Sequence, residues 1–448
     1  MNILLIAGTG AIGSALVKIL SEQKHEIFIT SRICRKSDVP RVKFIQGNAL
    51  DDLFITFLLS NNDFDVIIDF GNYEYEKFLR RKDMYLSSTD LYMFLSTSRV
   101  YAENGKNLLN EHSRRLADSG LTIPDYEYAI YKAQSEDLLL NSQNRNWTII
   151  RPYITYNTER LQLGIYEKEQ WLVRLLNNKP LIIPERLLNC KTTMTYAGDV
   201  AKRIAGIINR GAVGYGEIFQ IASMENRTWK EILNIYLSIM QKIGMEIPEI
   251  YVTYDDHYIS RFMNVYQYEN DRLYGRCFDS SKVDKYTGLD SYMPLKEGLE
   301  KCLREYMLQP VYADWCCHTD LDNYMDTRVR WNDGIELFLG YKEREHGYEK
   351  HKKMKAFCFG GGNNFRKYIN QLKNLFDIQY VADNDRTKQG HEVCEGIYCI
   401  PPEKLAEHNE ELAIVMTDDG AISVKIINQL MNMGVTKIEH VKNIIKFI

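Results

Sequence analysis

Tyr128 and Lys132 stand four residues apart in the run Tyr128-Ala129-Ile130-Tyr131-Lys132, which opens a helical pattern continuing through Leu138. At that spacing two side chains share one helical face and can couple. A free phenol has a pKa of about 10, so using its phenolate near neutral pH requires about 4 kcal/mol of stabilisation of the anion. A neighbouring ammonium supplies part of that, which makes Tyr128 a candidate acid/base and Lys132 its tuning cation. The chain contains thirty tyrosines, so such a pair also arises by chance; Tyr126 and Tyr131 stand nearby, and Tyr126 has no lysine four residues on. Upstream, Ser96-Thr97-Ser98-Arg99-Val100-Tyr101 ends an apolar run in hydroxyl groups.

The elements that must position these groups begin at residue 1. Ile3 to Ala7 is an apolar run, Gly8, Gly10 and Gly13 fit G-x-G-x-x-G, and Ile12, Ala15, Leu16, Ile19 and Leu20 follow with helical period before a second strand, Glu26 to Thr30. In this strand-turn-helix context Gly8 serves the tight turn. Gly10 allows a pyrophosphate to approach the backbone of Gly10, Ala11 and Ile12, and Gly13 brings the helix close to the strand. The helix N-terminus offers unpaired N–H groups to the phosphates. Dinucleotide binding is the expectation. The acidic residue that would hold the NAD ribose after the second strand is absent; Thr30-Ser31-Arg32 stands there, and Arg32 with Ser31 suits a 2′-phosphate, which favours NADP over NAD.

Val42 to Gln46, Asp65 to Phe70 and Leu91 to Ser96 continue the series of short apolar strands alternating with helical stretches. This predicts an α/β fold with a doubly wound parallel sheet of Rossmann type, covered on both faces, with ligands at the carboxyl edge of its strands. At 448 residues the chain exceeds one typical domain, and an apolar fraction of 45% provides for more than one core. A net charge of −4 gives no general electrostatic footprint for nucleic acid. No stretch is apolar for long enough to span a membrane, and the N-terminus carries no signal-peptide pattern, so a soluble cytoplasmic protein is expected. Nine cysteines without a C-x-x-C pair fit reduced thiols. Cys316, Cys317 and His318 are adjacent but lack the ligand spacing of a metal site, and none is expected.

Four features in order, namely the glycine turn, Ser96 to Tyr101, Tyr128 to Lys132 followed by Glu136, and Trp147 to Pro152, resemble the extended short-chain dehydrogenase/reductase superfamily in its nucleotide-sugar epimerase, dehydratase and reductase branch. The resemblance covers about the first 310 residues, with later echoes at Thr195 to Ala201, Gly216 to Ile221 and Phe278 to Lys282. It implies that Thr97 hydrogen-bonds the reacting sugar oxygen, that Tyr128 moves the hydroxyl proton, and that Lys132 holds the nicotinamide ribose and lowers the tyrosine pKa. It also implies hydride transfer between a sugar carbon and nicotinamide C4. Asn48, leading into Ala49 and Leu50, stands where the family often has an aspartate near the adenine. Ile6 and Ala7 replace the Thr and first Gly of many members. Ser98 and Arg99 replace the Asp-Glu pair with which dehydratases eliminate water, which places a nucleotide-sugar dehydratase below a 4-epimerase or 4-ketoreductase of polysaccharide biosynthesis. A homodimer is the customary assembly of the family.

The expected division is a cofactor core over 1–152 with further core elements in 190–225, a substrate lobe mainly over 153–309, a helical connector over 310–352 and a final domain over 353–448. Arg151, Tyr153, Arg160 and Trp171 are candidates for contacts with the nucleotide-sugar. The last segment begins again with a strand, the glycines Gly360 to Gly362, an amphipathic helix and a second strand ending at Asp383. It resembles the small Rossmann-like domain of some bacterial sugar acyltransferases, although no acyltransferase repeats follow, and a second nucleotide ligand or a purely structural domain are both open. From another class, divergent members of the superfamily act as cofactor-binding regulators or RNA-binding proteins; the intact Thr97, Tyr128 and Lys132 set and the acidic chain weigh against this.

Overall fold

The computed structural model describes residues 1–102, 108–120, 127–308, 310, 319–338, 354–394 and 396–445. Two compact units divide the chain. The first is Met1–Asn178 with Glu185–Ile247 and His257–Cys317; the second is Lys179–Pro184 with Pro248–Asp256 and His318–Ile448.

In the first unit, β1 (Asn2–Ile6), β2 (Glu26–Ser31), β3 (Val42–Gln46), β4 (Val66–Asp69), β5 (Leu91–Leu95), β6 (Trp147–Pro152) and the strand Glu217–Ile221 form one seven-stranded parallel sheet. From one edge the order is Glu217–Ile221, β6, β5, β4, β1, β2, β3, so the chain winds outward from β1 in both directions. The alternation of β1 explains why it sits at the centre. Ile3 and Leu5 face a layer containing Leu16 and Leu20 of α1 (Ala11–Glu22) and Val200 and Ile204 of the helix Ala197–Arg210. Leu4 and Ile6 face the opposite layer, with Ile55 and Leu58 of α2 (Asp52–Ser60), Tyr85 of α3 (Tyr75–Ser87) and Leu139 of α4 (Tyr128–Leu140). Burial on both faces is the property that makes such strands continuously apolar. Capping fixes where the helices start: Asp51 accepts from the amides of Leu53 at 2.9 Å and Phe54 at 3.4 Å, and the Glu127 carboxylate caps α4 at Ala129.

The second unit repeats this logic on a smaller scale. Its main sheet has the order Glu392–Cys394, Ile397–Ile400, Phe376–Ala382, Met354–Phe359, Leu412–Val415, Ile438–His440, all parallel except the first pair. Ala356 and Cys358 pack on Phe365 and Ile369 of the helix Asn363–Leu375, and Phe357 and Phe359 on Ile426 and Leu430 of the helix Gly420–Asn432. A three-stranded sheet of Leu181–Pro184, Ile250–Thr253 and Ile335–Leu337 belongs to the same unit. The connector expected over 310–352 contains a helix, Thr319–Trp331, and that last short strand; residues 311–318, which include Cys316, Cys317 and His318, and 339–352 lie outside the described residues. Short segments near residues 180 and 250, read from sequence as part of the substrate lobe, therefore belong to the second unit. Sequence gave no warning, because each is a four-residue apolar strand like many others.

Among the described residues no helix is long and apolar enough to cross a membrane, no cluster of potential metal ligands occurs, and the cysteines are free thiols.

Candidate active site

Two cavities open at the carboxyl edge of the first unit's sheet, where the chain order reverses between β1 and β4 and where doubly wound sheets bind ligands. One, of about 400 Å3, is lined by Ala7 and Thr9 of the glycine turn, by Ser31 and Arg32 at the end of β2, by Asn48, Ala49 and Leu50 after β3, and by Phe70 and Gly71 after β4. The other, of about 310 Å3, is lined by Ile12, Phe70, Thr97, Arg99, Tyr128, Tyr153, Arg160, Gln162, Glu167 and Arg272, among others. Phe70 is common to both.

The glycine turn has the geometry of a cradle. A Cβ on Gly13 would lie 2.0 Å from the Gly8 carbonyl oxygen, so the close approach of α1 to the turn requires glycine there. A Cβ on Gly10 would meet nothing within 4 Å, and Gly10 caps α1 without a side-chain hydrogen bond. The backbone at Gly10 is thus open to a ligand, as a pyrophosphate needs. The left-handed residue of the turn is Ala7, at φ 55°, whereas sequence assigned the tight turn to Gly8; Gly8 is required instead by Leu5, whose Cβ would be 2.7 Å from an added Cβ. The Ala7 amide is held by Thr30 Oγ1 at 2.8 Å. Arg32 is exposed and makes no side-chain hydrogen bond or ion pair among the described residues. Asn48 turns its side chain back to accept from the Leu50 amide at 3.0 Å.

Thr97, Tyr128 and Lys132 come together from β5 and α4. Thr97 follows β5, its hydroxyl oxygen accepting from the Arg99 amide at 3.2 Å, and it lines the same cavity as Tyr128, whose pKa it acts to lower. Tyr128 lines the cavity on the first turn of α4. Burial pushes its pKa up; the Arg99 and Arg160 guanidiniums and the Thr97 hydroxyl act in the opposite direction, and Glu127 adds to the rise. Lys132, one turn later, is buried, and its ammonium donates to the carbonyls of Gly71 at 2.5 Å and Leu95 at 2.6 Å. Burial lowers its pKa to about 8, against the opposing influence of Asp69 and Glu136. One of its three N–H donors is left for a further acceptor.

Asp69, at the end of β4, supports this arrangement in a way that the sequence reading missed. Its carboxylate is fully buried and accepts from the Gly71 amide at 2.7 Å, from Tyr73 at 3.0 Å and from Tyr92 at 2.6 Å. It thereby fixes the Gly71 peptide whose carbonyl holds Lys132. Burial raises its pKa, with these hydrogen bonds opposing. The only sequence signal was an acid closing an otherwise apolar strand. Arg81 of α3 was missed too: buried, it donates to the carbonyls of Ala49 at 2.7 Å and Leu50 at 2.8 Å and to the Asp52 carboxylate at 2.5 Å, shaping the loop that walls the first cavity.

Of the four residues expected to touch a nucleotide-sugar, two line the second cavity. Tyr153 does so with its hydroxyl turned to Asp271 at 3.4 Å, and Arg160 does so while 3.4 Å from Glu167. Arg151 and Trp171 are placed elsewhere. Arg151 is buried in a bidentate pair with Glu136, at 2.9 and 2.6 Å, and Glu136 also accepts from Ser96 at 2.5 Å. Trp171 is buried against Tyr236 and donates to the Leu161 carbonyl at 2.8 Å. Both sit in strands or helices whose inward face the sequence pattern left ambiguous, and packing claimed them.

No protein-family model matches the chain, and no curated protein matches it. Solved structures of similar fold include dTDP-glucose 4,6-dehydratase of Bacillus anthracis in complex with NAD, with TM-score 0.54 and 18% identity over 69% of this chain and 97% of that one. A second is UDP-glucuronic acid 4-epimerase of Bacillus cereus with UDP-glucuronic acid and NAD, with TM-score 0.53 and 18% identity over 69% of this chain and all of that one. A third is a Bordetella bronchiseptica enzyme in complex with NAD+, with TM-score 0.54 and 15% identity over 69% of this chain and 99% of that one. At these identities the likeness is one of fold.

Proposed function

We propose that the chain is an NAD(P)-dependent oxidoreductase or epimerase acting at C4 of a nucleotide-activated sugar, with NADP preferred. The observation that carries this reading is the placement of Thr97 and Tyr128 together on the wall of one cavity, with Lys132 buried a turn behind them and a second cavity at the glycine turn sharing Phe70. A dinucleotide fits the residues present: the backbone at Gly10 is open, Arg32 is uncommitted beside Ser31, and Lys132 retains a donor for a ribose hydroxyl. When bound, the nicotinamide supplies hydride transfer. The chain's own part is to hold the sugar hydroxyl at Thr97, to take or return its proton at the Tyr128 oxygen, and to keep a cation beside that phenol. The proteins of similar fold that bind NAD and, in one case, UDP-glucuronic acid are consistent with this part of the reading.

Arg99 favours epimerase or ketoreductase over dehydratase. It occupies the cavity wall next to Tyr128 as a cation paired with Glu127 at 2.5 Å, where elimination of water requires a free acid and base.

Denaturing the purified chain and identifying released cofactor by mass spectrometry tests the reading. Stoichiometric retained cofactor supports a redox-neutral epimerase, and an empty chain that then binds NADPH supports a reductase. A chain that binds neither NAD nor NADP refutes both. With a turnover assay in hand, Tyr128→Phe is expected to leave cofactor affinity unchanged and to lower kcat by about 10² or more; undiminished turnover excludes the role assigned to Tyr128.

A further inference from the structure

The second unit contains a cavity of about 420 Å3 at the carboxyl ends of Met354–Phe359, Phe376–Ala382 and Leu412–Val415. The strand order places it where the chain, having wound outward from Met354–Phe359 in one direction, crosses to Leu412–Val415 on the other side. Such a reversal is where open α/β sheets hold ligands. The size falls within the range of small-molecule sites.

Its walls are chemically divided. On one side the glycine loop is open, a Cβ on Gly362 meeting nothing within 4 Å, and no side chain caps the thirteen-residue helix that begins there. Across from it stands Lys425, exposed and without a hydrogen bond or ion pair among the described residues. Beside Lys425 the lining carries an apolar strip, in which Ile422, 48% exposed, and Ile426 follow one another at helical spacing, while Asn363, Asn364, Asn384 and Thr417 add neutral polar groups and Asp383 and Lys388 a paired acid and base. An uncommitted ammonium facing open backbone suits phosphate, and an exposed isoleucine beside it suits the flat face of a base.

Two features decide the size of the ligand. Dinucleotide sites of this architecture join two mononucleotide-binding halves, each of three parallel strands. Here the half containing Met354–Phe359, Phe376–Ala382 and Ile397–Ile400 is complete, but only Leu412–Val415 and Ile438–His440 lie beyond the reversal. The acid that would hold a dinucleotide's ribose is also engaged. Asp383 accepts from the Gly361 amide at 2.9 Å, from Lys388 at 2.8 Å and from the Asp385 amide at 2.9 Å.

We propose that this cavity is a second ligand site that binds a nucleoside diphosphate, free or carrying a sugar, with the phosphates at Lys425 and the Gly360–Gly362 loop and the base over Ile422. The site does not depend on the catalytic reading of the first unit.

The test is isothermal titration of the full chain with UDP, ADP, UDP-glucose and NAD, repeated with Lys425→Glu, Gly362→Asp and, in the first unit, Arg160→Glu. Lys425 and Gly362 are both at open positions, so the folded state tolerates the changes. The expected result is a binding event for UDP or ADP that survives Arg160→Glu and is weakened by about tenfold or more in Lys425→Glu and Gly362→Asp. If that event is the only one, the second-unit site stands and the nucleotide-sugar reading of the first unit falls. Tighter binding of UDP-glucose than of UDP at this event assigns the sugar-bearing form, and equal binding assigns the free nucleotide. Nucleotide binding that is lost only in Arg160→Glu, absence of any binding at about 1 mM, or an event sensitive to Lys425→Glu that takes NAD in preference to UDP and ADP, overturns the proposal.

Discussion

The Arg99 guanidinium carbon lies 5.3 Å from the centre of the Tyr128 ring, nearer than the Lys132 ammonium at 5.9 Å. Of the two cations it is Arg99 that acts most strongly against the upward push of burial on the Tyr128 pKa. Glu127, paired with Arg99 and also capping α4, holds the guanidinium in place.

Arg99→Met is therefore expected to raise the Tyr128 pKa further. An opposite charge within about 4–6 Å shifts a pKa by about one unit or more, and the Glu127 partner reduces the effect toward the lower figure. In the oxidising direction, where phenolate accepts the proton, the limb of kcat/KM against pH governed by Tyr128 moves upward by about one unit and activity at neutral pH falls. In the reducing direction, where the phenol donates, activity extends to higher pH. An unchanged profile in both directions would leave the tuning to Arg160 and Lys132.

Lys132 gives a prediction that needs no substrate. Its ammonium is the form that can donate to a cofactor ribose, and burial sets its pKa at about 8, below the ordinary 10.5. Cofactor affinity, read by NADPH fluorescence titration, is expected to hold below pH 8 and to weaken as pH rises through it. The same shift makes the folded chain release this proton before the unfolded chain does, so this group's contribution to stability rises between about pH 8 and the ordinary lysine range. Lys132→Met should give weaker binding without the alkaline fall; an alkaline fall that persists in the variant assigns it to another group.

The glycine motif separates structural from ligand roles. Gly13→Ala drives a Cβ to 2.0 Å from a backbone oxygen that cannot rotate away, and overpacking of this kind costs about 1–3 kcal/mol. Gly10→Ala meets nothing within 4 Å and should leave stability within about 0.5 kcal/mol of the parent chain, while the added methyl group obstructs the approach of a pyrophosphate. Calorimetric melting together with NADPH titration distinguishes the two. Equal loss of stability in both variants would contradict the geometry.

Much of this arrangement was legible in the sequence because it is local. The strand-turn-helix at Gly8 to Gly13 and the four-residue interval from Tyr128 to Lys132 lie within single supersecondary units, where periodicity and spacing speak directly. What escaped is what depends on contacts across the sheet. Asp69 acquires its place by bonding Gly71 and two tyrosines, and Arg81 by reaching carbonyls some thirty residues earlier. The strands near residues 180 and 250 acquire theirs by pairing with Ile335–Leu337 and with each other. No local pattern distinguishes such residues from solvated charges or ordinary apolar runs.

Arg151 tests the distinction between binding and packing. Sequence placed it among substrate contacts; it is instead buried with Glu136, whose carboxylate holds its pKa above the ordinary arginine value against the cost of burial. Breaking a buried pair by removing one partner costs about 3–5 kcal/mol because the other charge is left uncompensated. Arg151→Leu should therefore lower the melting temperature sharply, and Glu136→Leu should do so as well. The double variant should recover part of the loss, since neither charge remains to be desolvated, although Ser96 then loses the acceptor of its 2.5 Å hydrogen bond. A substrate-contact role predicts the opposite pattern: Arg151→Leu would retain its stability and raise KM, and the second substitution would restore nothing.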